Sequence, residues 1–206
     1  TRKGTERVCR AAFEWARRRA QERGRPGKVT CVDKANIFRS MAFFRKVFDE
    51  VAAGYPDVAA DHGYVDAVAM KMVRQPESFD VMVAENMFGD ILSDLGPGLI
   101  GGLGLAPSAD IGDQHAVFQP THGTAPDIAG QGIANPLATI LSAAMLLDWL
   151  ADRHQDEAPR RAAACINDAV SSGLADGTLL GPDLGGSAAT EEIGARVCAL
   201  IGTCDG

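Results

Sequence analysis

The sequence predicts an α/β fold, with mixed sheets flanked by helices and two domains joined by a hinge. Three observations lead there. Short strand-like segments at 28–32, 58–65 and 79–84 alternate with stretches of helical period, the pattern of strands layered with helices. Turn-forming residues punctuate them, at Gly24 to Gly27, Gly54-Tyr55-Pro56 and Gln75-Pro76. Finally, Lys34, Asp66, Asp90 and Asp94 all fall where expected strands give way to loops or helices, which is where α/β folds bind ligands.

In order, residues 4–23 carry Val8, Ala12, Phe13 and Ala16 as an apolar stripe and are expected to form a helix. Lys28 to Val32 is a short buried strand ending at Asp33-Lys34-Ala35-Asn36. A helix follows from Ser40 to Ala53, with Phe43, Val47, Phe48 and Val51 at helical spacing. Val58 to Val65 is a strand delivering Asp66, Ala67 to Val73 a short helix, and Phe79 to Ala84 a strand leading to Glu85.

Beyond it Asp90 and Asp94 lie four residues apart, so on a helix they share one face. Like charges stacked this way repel. A hard divalent cation relieves the conflict, because Mg²⁺ or Mn²⁺ takes carboxylate oxygens and keeps positions for water and substrate; a third ligand then comes from elsewhere. By itself Asp-x₃-Asp also fits a solvated acidic helix face.

The run from Gly96 to Leu105 is dense in glycine, which permits close approach and unusual dihedrals, and it is the candidate hinge. Residues 1–101 and 102–206 are the two expected domains. His122 to Pro136 is too rich in glycine, proline and polar groups for a regular element, and Phe118 to Pro136 is expected to be a loop. Three helices complete the chain, at 137–150, 159–172 and 190–201, the last two flanking Gly181-Pro182-Asp183-Leu184-Gly185-Gly186-Ser187.

Bulk properties exclude several functions. With 206 residues, 46% apolar and 23% charged, the chain is an ordinary globular protein with a real core. A net charge of −7 argues against general nucleic-acid binding. Ten Lys and Arg crowd residues 2–28, but the apolar stripe among them marks a solvated helix face, so a nucleic-acid module is the least favoured class. Cys9, Cys31, Cys165, Cys198 and Cys204 are odd in number and show no ligand spacing, which fits a reducing cytoplasm rather than disulfides or zinc. The longest apolar run, Ile133 to Leu150, contains Asn135, Pro136, Thr139, Ser142 and Asp148, and so reads as a buried helix rather than a membrane span. Thr1 is no start residue, and an N-terminal part is expected to be missing.

Five ordered motifs resemble the isocitrate/isopropylmalate dehydrogenase family, the metal-dependent decarboxylating dehydrogenases of β-substituted 2-hydroxyacids. They are Val32-Asp33-Lys34-Ala35-Asn36, Tyr64-Val65-Asp66, Asn86 through Asp94 with its glycine tail, His122 through Pro136, and Pro182 through Thr190. The resemblance runs the length of the chain and implies an isopropylmalate dehydrogenase-like fold. It implies that Asp90 and Asp94 bind Mg²⁺ or Mn²⁺ and that Asp66 completes the site from the partner subunit of a homodimer. It also implies that Lys34, donated across the dimer, assists proton removal from the substrate hydroxyl, and that Asn36 lies near substrate and nicotinamide. The implied reaction is oxidative decarboxylation: hydride leaves C2 for NAD⁺, and one cation serves both oxidation and loss of CO₂.

No GxGxxG motif is present, so a Rossmann dinucleotide site is not indicated. The resemblance instead places the cofactor on the loop from His122 to Asn135. Gly123, Thr124, Ala125, Gly130 and Gly132 there bring backbone amides close, while His122 and Asn135 meet the adenosine part. Asp127 is the discriminating position: a carboxylate accepts hydrogen bonds from both ribose hydroxyls and repels a 2′-phosphate, so NAD is favoured over NADP. Relatives that use NADP carry Lys-Tyr where this chain has Asp127-Ile128.

The chain also departs from the family. Phe118-Gln119-Pro120 stands where most relatives have Phe-Glu-Pro, removing a charge near the nicotinamide end. The glycine tail is similar to that of isocitrate and homoisocitrate enzymes, whereas Pro182 to Ser187 is similar to isopropylmalate enzymes. The family's substrate-binding arginines and catalytic tyrosine are expected upstream of Thr1, so the chain alone is expected to be inactive. 3-Isopropylmalate is the first substrate expectation, with isocitrate-like, homoisocitrate-like and tartrate- or malate-like acids as alternatives. A non-catalytic regulatory paralogue or inactive fragment is the competing class.

Overall fold

A computed structural model describes residues 1–202, and the chain divides into two compact units, Thr1–Gly96 and Pro97–Gly206. In the first, helix α1 (Arg2–Arg23), strand β1 (Lys28–Asp33), helix α2 (Arg39–Ala52), strand β2 (Ala59–Tyr64), helix α3 (Val65–Arg74) and strand β3 (Val81–Ala84) lead into helix α4 (Asn86–Ile100). The three strands form a parallel sheet in the order β2-β1-β3. β1 is the central strand, and it is buried on both faces because helices cover both, as parallel connections require.

The pleat sorts its side chains. Val29 and Cys31, with Val83 of β3, pack against Phe13, Ala16, Phe44, Phe48 and Val51 of α1 and α2. Val32 faces the other way, against Val68, Met72 and Leu92 of α3 and α4. Two expected core positions shift by one residue. Cys9, Ala12, Phe13 and Ala16 form the buried stripe of α1, with Val8 exposed; in α2 Phe44 rather than Phe43 is buried. Each observed set keeps the i, i+3, i+4, i+7 spacing of one helical face, which Val8 and Phe43 break. Phe43 lies instead beneath the Arg2 guanidinium, 5.6 Å from its ring centroid.

The basic residues of α1 are tied down by acids. Arg17 binds Asp57 through two hydrogen bonds, and Arg19 and Arg23 both reach Asp80, which also accepts the Lys28 N–H. Where α1 passes β1, only glycine fits at position 27, since a Cβ there would stand 2.4 Å from the Ala16 carbonyl oxygen.

Two boundaries differ from expectation. β2 stops at Tyr64, so Asp66 belongs to the first turn of α3 rather than to a strand end. Helix α4 continues through Gly96, Pro97 and Gly98 to Ile100, and unusual dihedrals appear only afterwards, at Gly101 (φ 121°) and Gly102 (φ 137°). A helix tolerates glycine and an isolated proline when tertiary context holds it, and Pro97 is buried.

The second unit contains a hairpin of β4 (Pro107–Ile111) and β5 (Ala116–Pro120), then helices α5 (Leu137–His154), α6 (Glu157–Ala175) and α7 (Thr190–Ile201). Its core gathers Leu137, Val170, Leu179, Ala188, Ile193 and Val197. The hairpin corrects the loop expected from Phe118: Phe118, Gln119 and Pro120 belong to β5, whose exposure alternates with period two along a run too short and mixed to stand out in the sequence.

Among the described residues no helix is long and apolar enough to cross a membrane. Cys9, Cys31, Cys165 and Cys198 are free thiols, and Cys204 lies outside the described residues. Burial pushes the Cys9 thiol up to about 12 and raises Cys31 as well, so both are packing residues rather than nucleophiles.

Candidate functional site

Parallel pairing aligns Asp33 with Tyr64, so β1 and β2 end side by side. The next residues along each strand are Lys34 in the turn before α2 and Val65-Asp66 at the start of α3. Lys34 Nζ stands 2.6 Å from Asp66 Oδ1 and 5.9 Å from the centroid of the Tyr64 ring. The turn holding Lys34 is closed by its own carbonyl, which accepts the N–H groups of Ile37 and Phe38 at 3.0 Å each. The hydrogen bond from Lys34 holds the Asp66 carboxyl below its ordinary range, with backbone donors in the first turn adding to it. Asn36 is exposed in the same turn.

Asp90 and Asp94 lie on one exposed face of α4, while Phe88 and Leu92 are buried and Leu92 packs with Val32 of the sheet. Glu85 accepts the Phe88 N–H at 3.0 Å and so caps the helix start. Within one chain the structure therefore joins Lys34 to Asp66, and the helix pairs Asp90 with Asp94. Among the described residues no three His, Cys, Asp or Glu groups converge on a point where they could hold a metal ion. Two hard carboxylates on one open face suit Mg²⁺ or Mn²⁺, which keep water and substrate among their ligands.

In the second unit, His122, Gly123, Thr124, Ala125, Ile128, Ala129, Gly130, Gly132, Ala134 and Asn135, with Leu103, line a cavity of about 480 Å³. Its wall is mostly backbone and small side chains. Gly130 and Gly132 have φ of 76° and 68° with open space where a Cβ would be, and Ala125 is held at φ 43° ahead of Pro126. Such a loop presents backbone amides to a ligand at close range. Asp127 lies in the short turn Pro126–Ile128, exposed and outside the cavity wall, with its carbonyl accepting Gln131 Nε2 at 2.9 Å. Gln119 is exposed on β5.

The loop is braced by residues that the sequence reading did not assign to the site. Asn135 Nδ2 donates to Asp183 Oδ2 at 2.9 Å, while Asn135 Oδ1 accepts the Leu137 N–H and caps α5. Thr190 donates its hydroxyl to the Ala134 carbonyl at 2.6 Å and its N–H to the Gly132 carbonyl at 2.8 Å. Behind Asp183 the chain turns tightly at Gly186, where a Cβ would come 2.0 Å from the Leu180 carbonyl oxygen. The glycine pair after Asp183 was the available signal: it marks a turn that has to pass close to backbone, with a carboxylate just before it.

The model of the isocitrate/isopropylmalate dehydrogenase family matches residues 1–197. A homoisocitrate dehydrogenase of Methanocaldococcus jannaschii is 47% identical over 204 residues, 98% of this chain and 54% of the relative. A 3-isopropylmalate/3-methylmalate dehydrogenase of the same organism is 46% identical, over 98% of this chain and 58% of the relative. The crystal structure of isocitrate dehydrogenase from Methylococcus capsulatus superposes with a TM-score of 0.85 at 44% identity, over 98% of this chain and 57% of that one. The chain thus spans about half the length of the curated relatives it matches.

Proposed function

Because this chain belongs to the isocitrate/isopropylmalate dehydrogenase family, we propose that the whole protein is a homodimeric dehydrogenase that oxidatively decarboxylates a β-substituted malate-type 2-hydroxyacid, using NAD⁺ and Mg²⁺ or Mn²⁺. 3-Isopropylmalate is the first substrate choice; isocitrate-like, homoisocitrate-like and tartrate- or malate-like acids follow. In this reading residues 1–101 belong to a small dimerising domain with the metal ligands, and residues 102–206 to a larger cofactor-binding domain.

The observation that supports it most is the pairing within one chain: Lys34 with Asp66 at 2.6 Å, and Asp90 with Asp94 along one helix face. That division suits a site assembled from two copies, in which one copy supplies Lys34 and Asp66 and the other supplies Asp90 and Asp94. Met70 and Val73 on α3 and Met87 and Ile91 on α4 are each more than half exposed. A second copy covering this apolar surface fits the dimer.

When bound, the dinucleotide would supply a hydride acceptor and the divalent cation, held by Asp90 and Asp94 of one copy and Asp66 of the other, would supply Lewis-acid stabilisation of developing negative charge. The protein's own groups do the rest. Only in its neutral form would Lys34 take the proton of the C2 hydroxyl, the bound cation beside it disfavouring the ammonium, while Asp66 would orient the lysine and supply a carboxylate oxygen to the cation. Asp90 and Asp94 provide the other two carboxylates. The cavity lined by residues from His122 to Asn135 would take the adenosine end of the cofactor, and the Asp127 carboxylate, in the turn between the lining residues Ala125 and Ile128, would favour NAD over NADP. The test is turnover of the full-length protein with a panel of 2-hydroxyacids, NAD⁺ and Mn²⁺. CO₂ release with NADH formation from one of them supports the reading; no NADH from any of them refutes it.

A further inference from the structure

Asp33 is fully buried at the end of β1 and takes no part in the chemistry proposed above. Its two oxygens are saturated. Arg45 of α2 donates Nε to Oδ2 and Nη2 to Oδ1, both at 2.8 Å, and the Ala35 N–H donates to Oδ1 at 2.8 Å. The same guanidinium lies against the ring of Tyr64, with 5.2 Å from Cζ to the centroid.

The arrangement is a clamp on two chain ends. Asp33 immediately precedes Lys34; Tyr64 is its register partner on β2 and lies two residues before Asp66. Arg45 holds both at once, and the Ala35 hydrogen bond fixes the turn on the far side of Lys34. Asp33 is buried while the Arg45 side chain is 27% exposed, and an ion pair drawn partly into the protein is often matched for stability by apolar residues of similar volume. What a bidentate fork stacked on an aromatic ring supplies is direction, which neither a lysine nor an apolar residue reproduces.

We propose that Asp33, Arg45 and Tyr64 are positioning residues that set the Lys34 amine and the Asp66 carboxylate at their working separation. The inference rests on the catalytic reading of Lys34 and Asp66 given above. It is tested in the full-length protein with NAD⁺, Mn²⁺ and the best acid of the panel, by comparing wild type, Lys34→Met, Arg45→Lys, Tyr64→Leu and Tyr64→Phe.

Arg45→Lys keeps a positive charge on Asp33 but loses the fork, and Tyr64→Leu removes the ring while leaving Asp33 paired. Each is expected to lower kcat by about 10- to 100-fold, the scale of a misplaced reacting group, with KM for NAD⁺ within about twofold. Tyr64→Phe keeps the ring under Arg45 but loses the hydroxyl that Arg45 also meets, and its kcat is expected to lie between those of Tyr64→Leu and wild type. A merely structural role would change the unfolding temperature and the yield while leaving kcat per folded dimer unaltered. If Arg45→Lys and Tyr64→Leu turn over at the wild-type kcat while Lys34→Met does not, the clamp is refuted and the catalytic reading stands. If the wild type, or Lys34→Met at undiminished rate, contradicts the catalytic reading, the clamp falls with it.

Discussion

Lys34 and Asp66 form an ion pair at 2.6 Å between two chain segments that leave adjacent parallel strands at the same level. Neither residue is near the other in sequence. In the proposed enzyme this pair is donated as a unit, so Lys34→Met is expected to lower kcat by at least about 100-fold in the full-length protein, in the range of lost acid–base catalysis. Steady-state assays, with dimerisation checked by light scattering, measure it.

The brace on the proposed cofactor loop gives a different signature. Asp183→Ala removes a charge-assisted hydrogen bond to Asn135, a loss of about 1.5 kcal/mol or roughly tenfold in affinity. The expected result is a KM for NAD⁺ raised by about that factor with kcat little changed. An unaltered KM would show that Asn135 keeps its place without Asp183.

In the proposed enzyme, cofactor preference is expected to depend on Asp127 of the same loop. Asp127→Lys replaces a carboxylate that repels a 2′-phosphate with a cation that attracts it, so the ratio of kcat/KM for NADP⁺ over NAD⁺ is expected to rise by at least about tenfold. Parallel assays with the two cofactors decide the point.

The pH dependence of stability has a legible contributor in Asp80. Burial pushes its carboxyl up, but hydrogen bonds from Arg19 and the Lys28 N–H, with the charges of Arg19 and Arg23, outweigh that and hold it below its ordinary value of 3.8. A carboxyl depressed in the folded state stabilises the protein above its unfolded pKa, and that contribution fades as the pH falls through the folded value. Asp80→Asn should therefore cost about 2 kcal/mol at pH 7 and progressively less below pH ~4. Urea unfolding at several pH values checks it; a cost that does not shrink on acidification contradicts the assignment.

Much of the first unit is readable from sequence because its central strand β1 is covered on both sides and its helices keep strict periodicity. Lys28 to Val32 stands out as a short buried strand, and the Cys9 and Phe44 faces deviate from the expected ones by a single position. The β4–β5 hairpin is not readable in this way. Its strands are half exposed and carry Pro107, Gln119 and Pro120, so neither run length nor composition marks them. The same contrast holds at the site. Lys34, Asp66, Asp90 and Asp94 announce themselves by residue type and spacing, whereas the roles of Arg45, Asp183 and Thr190 arise from contacts made across 12, 48 and 56 residues of chain.

The claim that two copies share each site is tested most directly by subunit complementation. Lys34→Met and Asp90→Asn dimers, each inactive alone, are mixed, exchanged and assayed with NAD⁺, Mn²⁺ and substrate. A shared site leaves one intact centre in every hybrid dimer, so a random equimolar mixture should recover about a quarter of wild-type activity. Hybrids that form yet stay inactive would mean that Lys34 and Asp90 serve the same centre from one chain, contradicting the account.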